Sequence, residues 1–322
     1  MEIIKPKIEL YKTRTFSEKL NDTIGFLREN WRTQLKYFIY LMLPCSIVLA
    51  FFMNHFWGGY MSLIMAVQNV GGPRENVGSF LLNSGAMAIV FLATYALLIA
   101  FVFALVRLYR AREDRLKNLT ADELKPELMT CLRRSSVLML ATIVVAIVLL
   151  LIFGALMIGA FAINPAFGLL ALVLLYIALL VVGLPMMLVT PIYMLEDNIS
   201  IISAFQKAFH LGFPTWGGVF AVVFVLGILA SIIQTVTMGP WYILFIIKMV
   251  FTMSNDLDGS FVNSIFYTSA EYVTCVLQCL GMLFASVFTL VGLTIQYGHA
   301  ADKIDGVGVV EKIEKFDEFD NF

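Results

Sequence analysis

The chain has 322 residues, of which 60% are hydrophobic and only 14% are charged, and its mean hydropathy is +0.87. This composition lies far from that of a soluble domain and indicates a protein embedded in a lipid bilayer. The 22 Lys and Arg nearly balance the 23 Asp and Glu. A basic surplus of the kind that marks nucleic-acid-binding proteins is therefore missing, and we expect no nucleic-acid partner.

Six segments are apolar and long enough to cross a bilayer, which takes about 20 residues per helix. The sequence therefore predicts an all-α fold, a polytopic membrane helix bundle with six transmembrane helices. The predicted spans are Tyr37 to Trp57, Ala86 to Val106, Val137 to Ala162, Phe167 to Leu195, Gly217 to Met238 and Val273 to Ile295. Segment 240–253 is short and carries Lys248 near its middle, so we expect it in the outer interface or as a re-entrant turn.

Basic residues are distributed unevenly between the two sides of this topology. If the amino terminus is inside, 20 of the 22 Lys and Arg fall in inner segments, and only Arg74 and Lys248 fall outside. The positive-inside rule then predicts that both termini are cytoplasmic. The first 36 residues carry no apolar run, so we expect no cleavable signal peptide.

Amphipathic segments precede the first, third and fifth spans. Thr15 with Glu18 and Thr120 with Glu123 have capping-box spacing, and Asp197 or Asn198 is placed to cap a third helix. We therefore expect three interfacial amphipathic helices on the cytoplasmic side, each leading into a hairpin of two spans.

This pattern suggests a threefold internal repeat within a single membrane domain, residues 1–300. The units would cover about 13–112, 118–195 and 197–300, and residues 301–322 would form an acidic cytoplasmic tail. The alternative is that loop helices of this kind accompany multispan proteins without any duplication.

Cysteines and small residues are best explained by packing. The four cysteines match neither a disulfide framework nor a zinc site. Cys275 and Cys279 are one helical turn apart, so contact with a soft metal is the alternative for that pair. Two pairs of small residues have the four-residue spacing of close helix packing, Ala155 with Gly159 and Gly281 with Ala285. We expect these pairs to pack helices together, either within the monomer or in a homodimer.

Two sets of polar residues are candidate sites. Polar groups at membrane depth are costly and so mark function or close pairing; here they are Asn83, Gln234, Lys248, Glu271 and Gln278. Lys248 and Glu271 could pair, although snorkelling to the interface is the alternative for each.

Basic residues around the second interfacial helix could attract anionic lipid head groups or a protein partner, although orientation signalling alone would also explain them. These are Arg110, Arg112, Arg115, Lys125, Arg133 and Arg134.

Two short motifs resemble a known family. Glu196 ends a span before the run Ala204 to Leu211 and Trp216, and Tyr297 is followed by charged residues and Gly306. This arrangement resembles the six-span bacterial membrane module fused to some glycerophosphodiester phosphodiesterases. The amino-terminal runs Phe16 to Leu20 and Arg28 to Trp31 resemble uncharacterised Bacteroides and Prevotella-type integral membrane proteins. The resemblance implies a bacterial inner membrane. The chain has no segment for the soluble phosphodiesterase barrel, so that enzyme activity does not carry over.

No catalytic or metal-binding motif accompanies these features. The sequence contains no phosphate-binding glycine loop followed by lysine, no H-E-x-x-H and no G-x-S-x-G. We therefore expect a non-enzymatic protein without cofactor or metal. The predicted role is an accessory or lipid-associated membrane module, and the alternative is a transporter or permease of a small molecule or lipid.

Overall fold

The computed structural model describes residues 7–67, 77–253, 259–310 and 313. Within these residues the chain forms nine helices and no strand, as the predicted all-α class requires. The helices are α1 (Phe16–Glu29), α2 (Trp31–Val67), α3 (Val77–Ala111), α4 (Ala121–Ile163), α5 (Pro165–Met186), α6 (Val189–Leu195), α7 (Ile201–Gly212), α8 (Trp216–Met253) and α9 (Ile265–Asp305). Arg74 and, apart from Ile313, the tail segment 311–322 lie outside the described residues.

Six helical segments are long and apolar enough to cross a membrane. They lie in α2, α3, α4, α5 together with α6, α8 and α9, and each contains one of the six predicted spans. This is the architecture of a multi-pass membrane protein.

Both predicted capping boxes are present. The Thr15 and Thr120 side chains accept from the backbone N–H of Glu18 and Glu123, and each glutamate accepts in return from the cap backbone. After the second box, however, α4 continues unbroken for 43 residues. No glycine or proline occurs between residues 127 and 153 to end it. The predicted second amphipathic helix is therefore the first part of α4 and not a separate helix, and its interfacial position stays a prediction.

The third amphipathic helix begins later than predicted. Ser200 caps α7 by accepting from the backbone N–H of Ser203 at 3.1 Å. Asn198, one of the two predicted caps, has φ of +62°, whereas a cap residue needs an extended backbone such as that of Ser200. The predicted cap at Asp197 or Asn198 is therefore wrong by two to three residues.

Segment 240–253 is helical throughout and belongs to α8. The re-entrant turn is therefore wrong, whereas a position of this segment in the outer interface stays a prediction. Pro240 removes one backbone donor but does not end the helix. Continuing as a helix keeps the other backbone groups paired, which an apolar environment requires.

Contacts divide the chain into two compact units. Unit 1 comprises 1–31, 99–226 and 289–322, and unit 2 comprises 32–98 and 227–288. α3, α8 and α9 are each divided between the two units, and α2 lies in unit 2 apart from its first residue, Trp31. This division does not follow the three predicted units, and the threefold repeat stays a prediction.

Each unit has its own buried core. In unit 1 the largest fully buried side chains include Phe101, Phe103, Leu188, Ile192 and Tyr297. In unit 2 the core is formed by Leu49, Ala50, Trp241, Cys275 and Cys279. The four cysteines are free thiols.

The hairpin of α4 and α5 is largely uncovered by the rest of the chain. Asn164 ends α4 and caps α5, accepting from the backbone N–H of Ala166 at 2.8 Å, and Pro165 follows as the first residue of α5. Only 6% of the most apolar window of α4 and 11% of that of α5 plus α6 is buried. Such extensive exposed apolar surface is compatible with lipid around it rather than water.

Candidate functional site: a cavity at the Lys248–Glu271 ion pair

A cavity of about 320 Å³ lies within unit 2. Its walls come from the second half of α2, the last turns of α8, the segment beginning at Gly259 and the first turns of α9. Lining side chains include those of Asn54, Trp57, Met61, Lys248, Met249 and Glu271. The volume is within the range of small-molecule sites, about 300–1,000 Å³.

An ion pair forms the charged part of the wall. The ammonium of Lys248 donates to a carboxylate oxygen of Glu271 at 2.6 Å. Glu271 is 5% exposed, whereas the Lys248 side chain is 36% exposed. The structure thus brings together the two residues whose pairing the sequence analysis raised. Because a buried carboxylate without a partner is strongly unfavourable, the Lys248 ammonium is needed where it lies.

Two aromatic side chains in the cavity wall, Trp57 and Phe245, pack against the buried Trp241. Trp57 and Phe245 have ring centroids 5.6 Å apart, and Trp241 stacks on Phe245 at 5.1 Å. The indole N–H of Trp241 donates to the amide oxygen of Asn54 at 3.1 Å. This bond fixes the Asn54 side chain and leaves its amino group as a donor at the cavity wall.

One further hydrogen bond holds α9 against α8 beside the ion pair. The Tyr267 hydroxyl, one turn before Glu271 on α9, donates to the backbone carbonyl of Leu244, one turn before Lys248 on α8. The two helices are therefore tied together both at the ion pair and one turn away from it.

The other three predicted membrane-depth residues do not line the cavity. Asn83 is half-buried on α3, and Gln234 is exposed on α8. Gln278 lies on α9 with its amide oxygen buried and without a hydrogen-bond partner among the described residues. Trp57, Phe245 and Met249 were not singled out as site residues by the sequence, because aromatic and methionine side chains in a span give the same signal whether they pack or line a site.

The predicted basic surface lies in unit 1, and four of its six members are engaged within the protein. Arg112 pairs with Glu123 at 2.6 Å, Arg115 pairs with Glu29, and Arg134 lies 3.1 Å from Asp197. The Arg110 guanidinium stacks over the ring of Tyr11 at 5.1 Å. Lys125 and Arg133 are exposed, which makes these two the members best placed to meet a lipid head group.

Arg134 belongs to a compact network of charges. Its guanidinium also donates to the backbone carbonyls of Tyr193 and Glu196. Arg107 donates to the same carboxylate of Asp197, at 2.6 Å, and lies 2.7 Å from Glu127. This network fixes the turn after α6 and explains a structural role for the acidic residues near position 196.

Among the described residues, no group of three or more His, Cys, Asp and Glu side chains is placed so that it could hold a metal ion. The three histidines are separated, with His55 exposed on α2, His210 3.2 Å from Asp305, and the ring of His299 accepting from the backbone N–H of Arg14. The cavity wall combines the Lys248–Glu271 ion pair with apolar side chains, an arrangement that can bind a ligand by charge and apolar contact.

Comparison with protein-family models, with curated proteins and with solved structures found no match. The resemblance to the six-span bacterial module stays a prediction.

Proposed function

We propose that this chain is a non-enzymatic, lipid-associated protein of a bacterial inner membrane, with both termini cytoplasmic, that binds a zwitterionic lipid head group in the unit 2 cavity. The observation that carries the proposal is the Lys248–Glu271 pair, 2.6 Å apart, at the wall of a cavity of about 320 Å³. The orientation rests on the distribution of the basic residues along the sequence.

The charges of the cavity favour a ligand that carries both signs. A ligand ammonium can bind the Glu271 carboxylate while a ligand phosphate binds the Lys248 ammonium, so that every charge keeps a counterion. A ligand with a single charge would leave one member of the pair without its partner at low dielectric, which is costly. Phosphoethanolamine head groups have the required pair of charges.

The remaining walls favour a ligand with an apolar part. Trp57, Met61, Phe245 and Met249 supply apolar surface beside the ion pair, and methionine side chains adapt to chains of varied shape. A lipid offers both a charged head and an apolar body, which is the combination that these walls can bind.

The test is native mass spectrometry of the full chain extracted in a mild detergent and offered phosphatidylethanolamine or phosphatidylglycerol. We expect phosphatidylethanolamine to be retained in preference, and the double variant K248M/E271L to lose that preference. Gln234→Leu is the matched control, because Gln234 lies on α8 but does not line the cavity. Equal retention of both lipids, or retention unchanged in K248M/E271L, would contradict the proposal.

Transport of a small molecule or lipid is the second candidate function. It is favoured by prolines inside two helices that line the cavity, Pro44 in α2 and Pro240 in α8, because a missing backbone hydrogen bond allows a helix to bend. The measurement is flux of a labelled zwitterion into vesicles containing the chain. Flux that the double variant K248M/E271L abolishes would favour transport, and its absence would leave lipid binding as the function.

A further inference from the structure

A buried polar cluster lies in unit 1, where α1, α8 and α9 meet. Lys19 of α1 and Gln296 of α9 are 4% and 0% exposed. A β-carbon added to Gly218, in the first turn of α8, would lie 3.1 Å from the Gln296 amide nitrogen and 3.2 Å from the Lys19 ammonium. The two nitrogens therefore approach one point beside the Gly218 backbone. We call Lys19, Gly218 and Gln296 the Lys19 cluster.

Two polar side chains of the cluster lack a partner among the described residues. The amide nitrogen and the amide oxygen of Gln296 are both buried without a hydrogen-bond partner there. The charged side chains that act on the Lys19 ammonium are Lys303 and Arg14, which have the same sign. Buried polar groups are almost always paired in folded proteins, and an uncompensated buried charge is strongly destabilising. The cluster therefore has the donors and the charge of a site for an anion.

Carboxylates on the same helices are engaged with other groups. Asp22, three residues after Lys19 on α1, lies 2.7 Å from the Arg14 guanidinium. Asp302 on α9 accepts from the backbone N–H of Gly308 at 3.0 Å. Burial lowers the pKa of Lys19 to about 8, so most of this side chain is still protonated at pH 7. The ammonium thus needs a counterion that these two carboxylates do not supply.

We propose that the Lys19 cluster binds one small monovalent anion, for which chloride is the probe. The Lys19 ammonium supplies the charge and the Gln296 amide N–H a second donor, so a single ion gives a partner to both groups. The cluster lies at the first turn of α8, where the helix dipole also favours an anion. A water molecule can accept the same hydrogen bonds, but it does not balance the charge of the ammonium.

The geometry of the cluster favours a small ion with one charge. Both nitrogens lie within 3.2 Å of one point, and one ammonium balances one negative charge. Phosphate has four oxygens and up to two charges, most of which two donors would leave unpaired. Gly218 is only half-buried, so the cluster lies close to the surface of unit 1 and an ion can reach it. The inference does not depend on the lipid that we propose for the unit 2 cavity.

Neighbouring glycines at the start of α8 provide a matched pair of variants. The methyl group of Gly218→Ala would occupy the point that the two nitrogens approach, and it changes no charge. A β-carbon at Gly217 would meet nothing within 4 Å. Gly218→Ala should therefore block the ion, whereas Gly217→Ala makes the same chemical change at the adjacent position and should admit it.

The experiment is thermal unfolding of the full chain in detergent at pH 7, with sodium chloride replacing sodium gluconate at constant ionic strength. A ligand that binds only the folded state raises the melting temperature as its concentration rises. We expect this rise in the wild type and in Gly217→Ala, and its loss in Gly218→Ala. Lys19→Met should lose it as well, and Lys125→Met, which removes an exposed charge, should keep it. Sodium phosphate, tested in the same way, should have a smaller effect than chloride.

The width of the chloride NMR line, measured on the same samples, reports bound chloride directly. Monodisperse elution shows which variants fold, and Lys19→Met provides the test if Gly218→Ala does not. A wild type without a response to chloride would overturn the proposal and leave water as the partner of the cluster. An equal response in Gly218→Ala or Lys19→Met, or a larger response to phosphate, would also overturn it. The double variant K248M/E271L should keep the chloride response, so this proposal and the proposed lipid binding fail separately.

Discussion

Tyr297 donates a hydrogen bond from its hydroxyl to the Glu196 carboxylate across 2.5 Å, and the ammonium of Lys207 lies 2.8 Å from the same oxygen. Tyr297 is 1% exposed and lies on α9, whereas Glu196 follows α6 and Lys207 lies on α7. One carboxylate therefore joins three helices of unit 1. The motif residues that carried the family resemblance thus have a structural role that this geometry explains.

Replacing Tyr297 with phenylalanine removes this bond and keeps the ring. Since a hydrogen bond to a charged group contributes about 1.5–3 kcal/mol, we expect Tyr297→Phe to lower the apparent melting temperature in detergent. Tyr176→Phe, at an exposed position of α5, is the matched control and should leave it unchanged. An equal effect of the two substitutions would mean that the Glu196 contact contributes no stability.

Local signals in the sequence predicted local structure well. The capping boxes at Thr15 and Thr120 depend on residues three apart, and both are present. The continuation of α8 through Pro240 was missed, because length and composition do not show whether a helix bends or continues. The cap at Ser200 was missed because Asp197 and Asn198 precede it with equally suitable side chains.

Long-range relationships were only partly predictable. Polar residues are few in apolar spans, so Lys248 and Glu271 could be identified and their pairing considered, and they do pair. The partners of the inner basic residues could not be predicted, because the acidic residues that meet Arg107, Arg115 and Arg134 are 20 to 90 positions away in the chain. For the same reason the approach of Met53 to Cys279, 226 residues apart, leaves no signal in the sequence.

The Lys248–Glu271 pair predicts strongly non-additive effects. Lys248→Met alone leaves the carboxylate of Glu271 buried without its partner and should destabilise by about 3–5 kcal/mol. The double variant K248M/E271L removes both charges and should be closer to the wild type than K248M is. Thermal unfolding of the wild type, K248M, E271L and the double variant measures this coupling. Additive losses would show that the two side chains do not stabilise each other.

The basic residues of unit 1 should separate into structural and lipid-binding groups. Arg134 is held by Asp197 and two backbone carbonyls, so Arg134→Ala should lower the melting temperature. K125A/R133A changes exposed side chains and should leave the melting temperature nearly unchanged while weakening retention of phosphatidylglycerol, because each charge contributes about 1 kcal/mol near an anionic surface. Thermal unfolding and native mass spectrometry on both variants provide the comparison. Unchanged retention in K125A/R133A would leave orientation as the role of these charges.

Two glycines with the spacing of close helix packing should differ sharply. A β-carbon at Gly281 would lie 2.0 Å from the Thr237 hydroxyl oxygen, whereas one at Gly159 would meet nothing within 4 Å. Gly281→Ala should therefore destabilise unit 2 by about 1–3 kcal/mol through overpacking. Gly159→Ala should be neutral or slightly stabilising, because alanine favours helix by about 1 kcal/mol. Thermal unfolding of the pair tests this, and a loss at Gly159 would indicate a contact with a second copy.

Lys19 predicts a pH dependence of stability. Its side chain lies on α1, the residue is 4% exposed, and burial, assisted by the nearby charges of Lys303 and Arg14, lowers its pKa to about 8. The folded state therefore releases this proton at lower pH than the unfolded state, whose lysine pKa is about 10.4. The unfavourable contribution of Lys19 is fully present below pH 8 and is relieved as the pH rises towards 10.

Lys19→Met removes this contribution. We expect the variant to have a higher melting temperature than the wild type at pH 7 and the difference to shrink between pH 8 and 10. Lys125→Met, at an exposed position of α4, is the matched control and should show no such change with pH. Melting curves at pH 7, 8, 9 and 10 provide the measurement. The difference in melting temperature between Lys19→Met and the wild type could instead stay constant over this range. That result would mean that the Lys19 ammonium keeps its proton in the folded state, held by a counterion that offsets its burial.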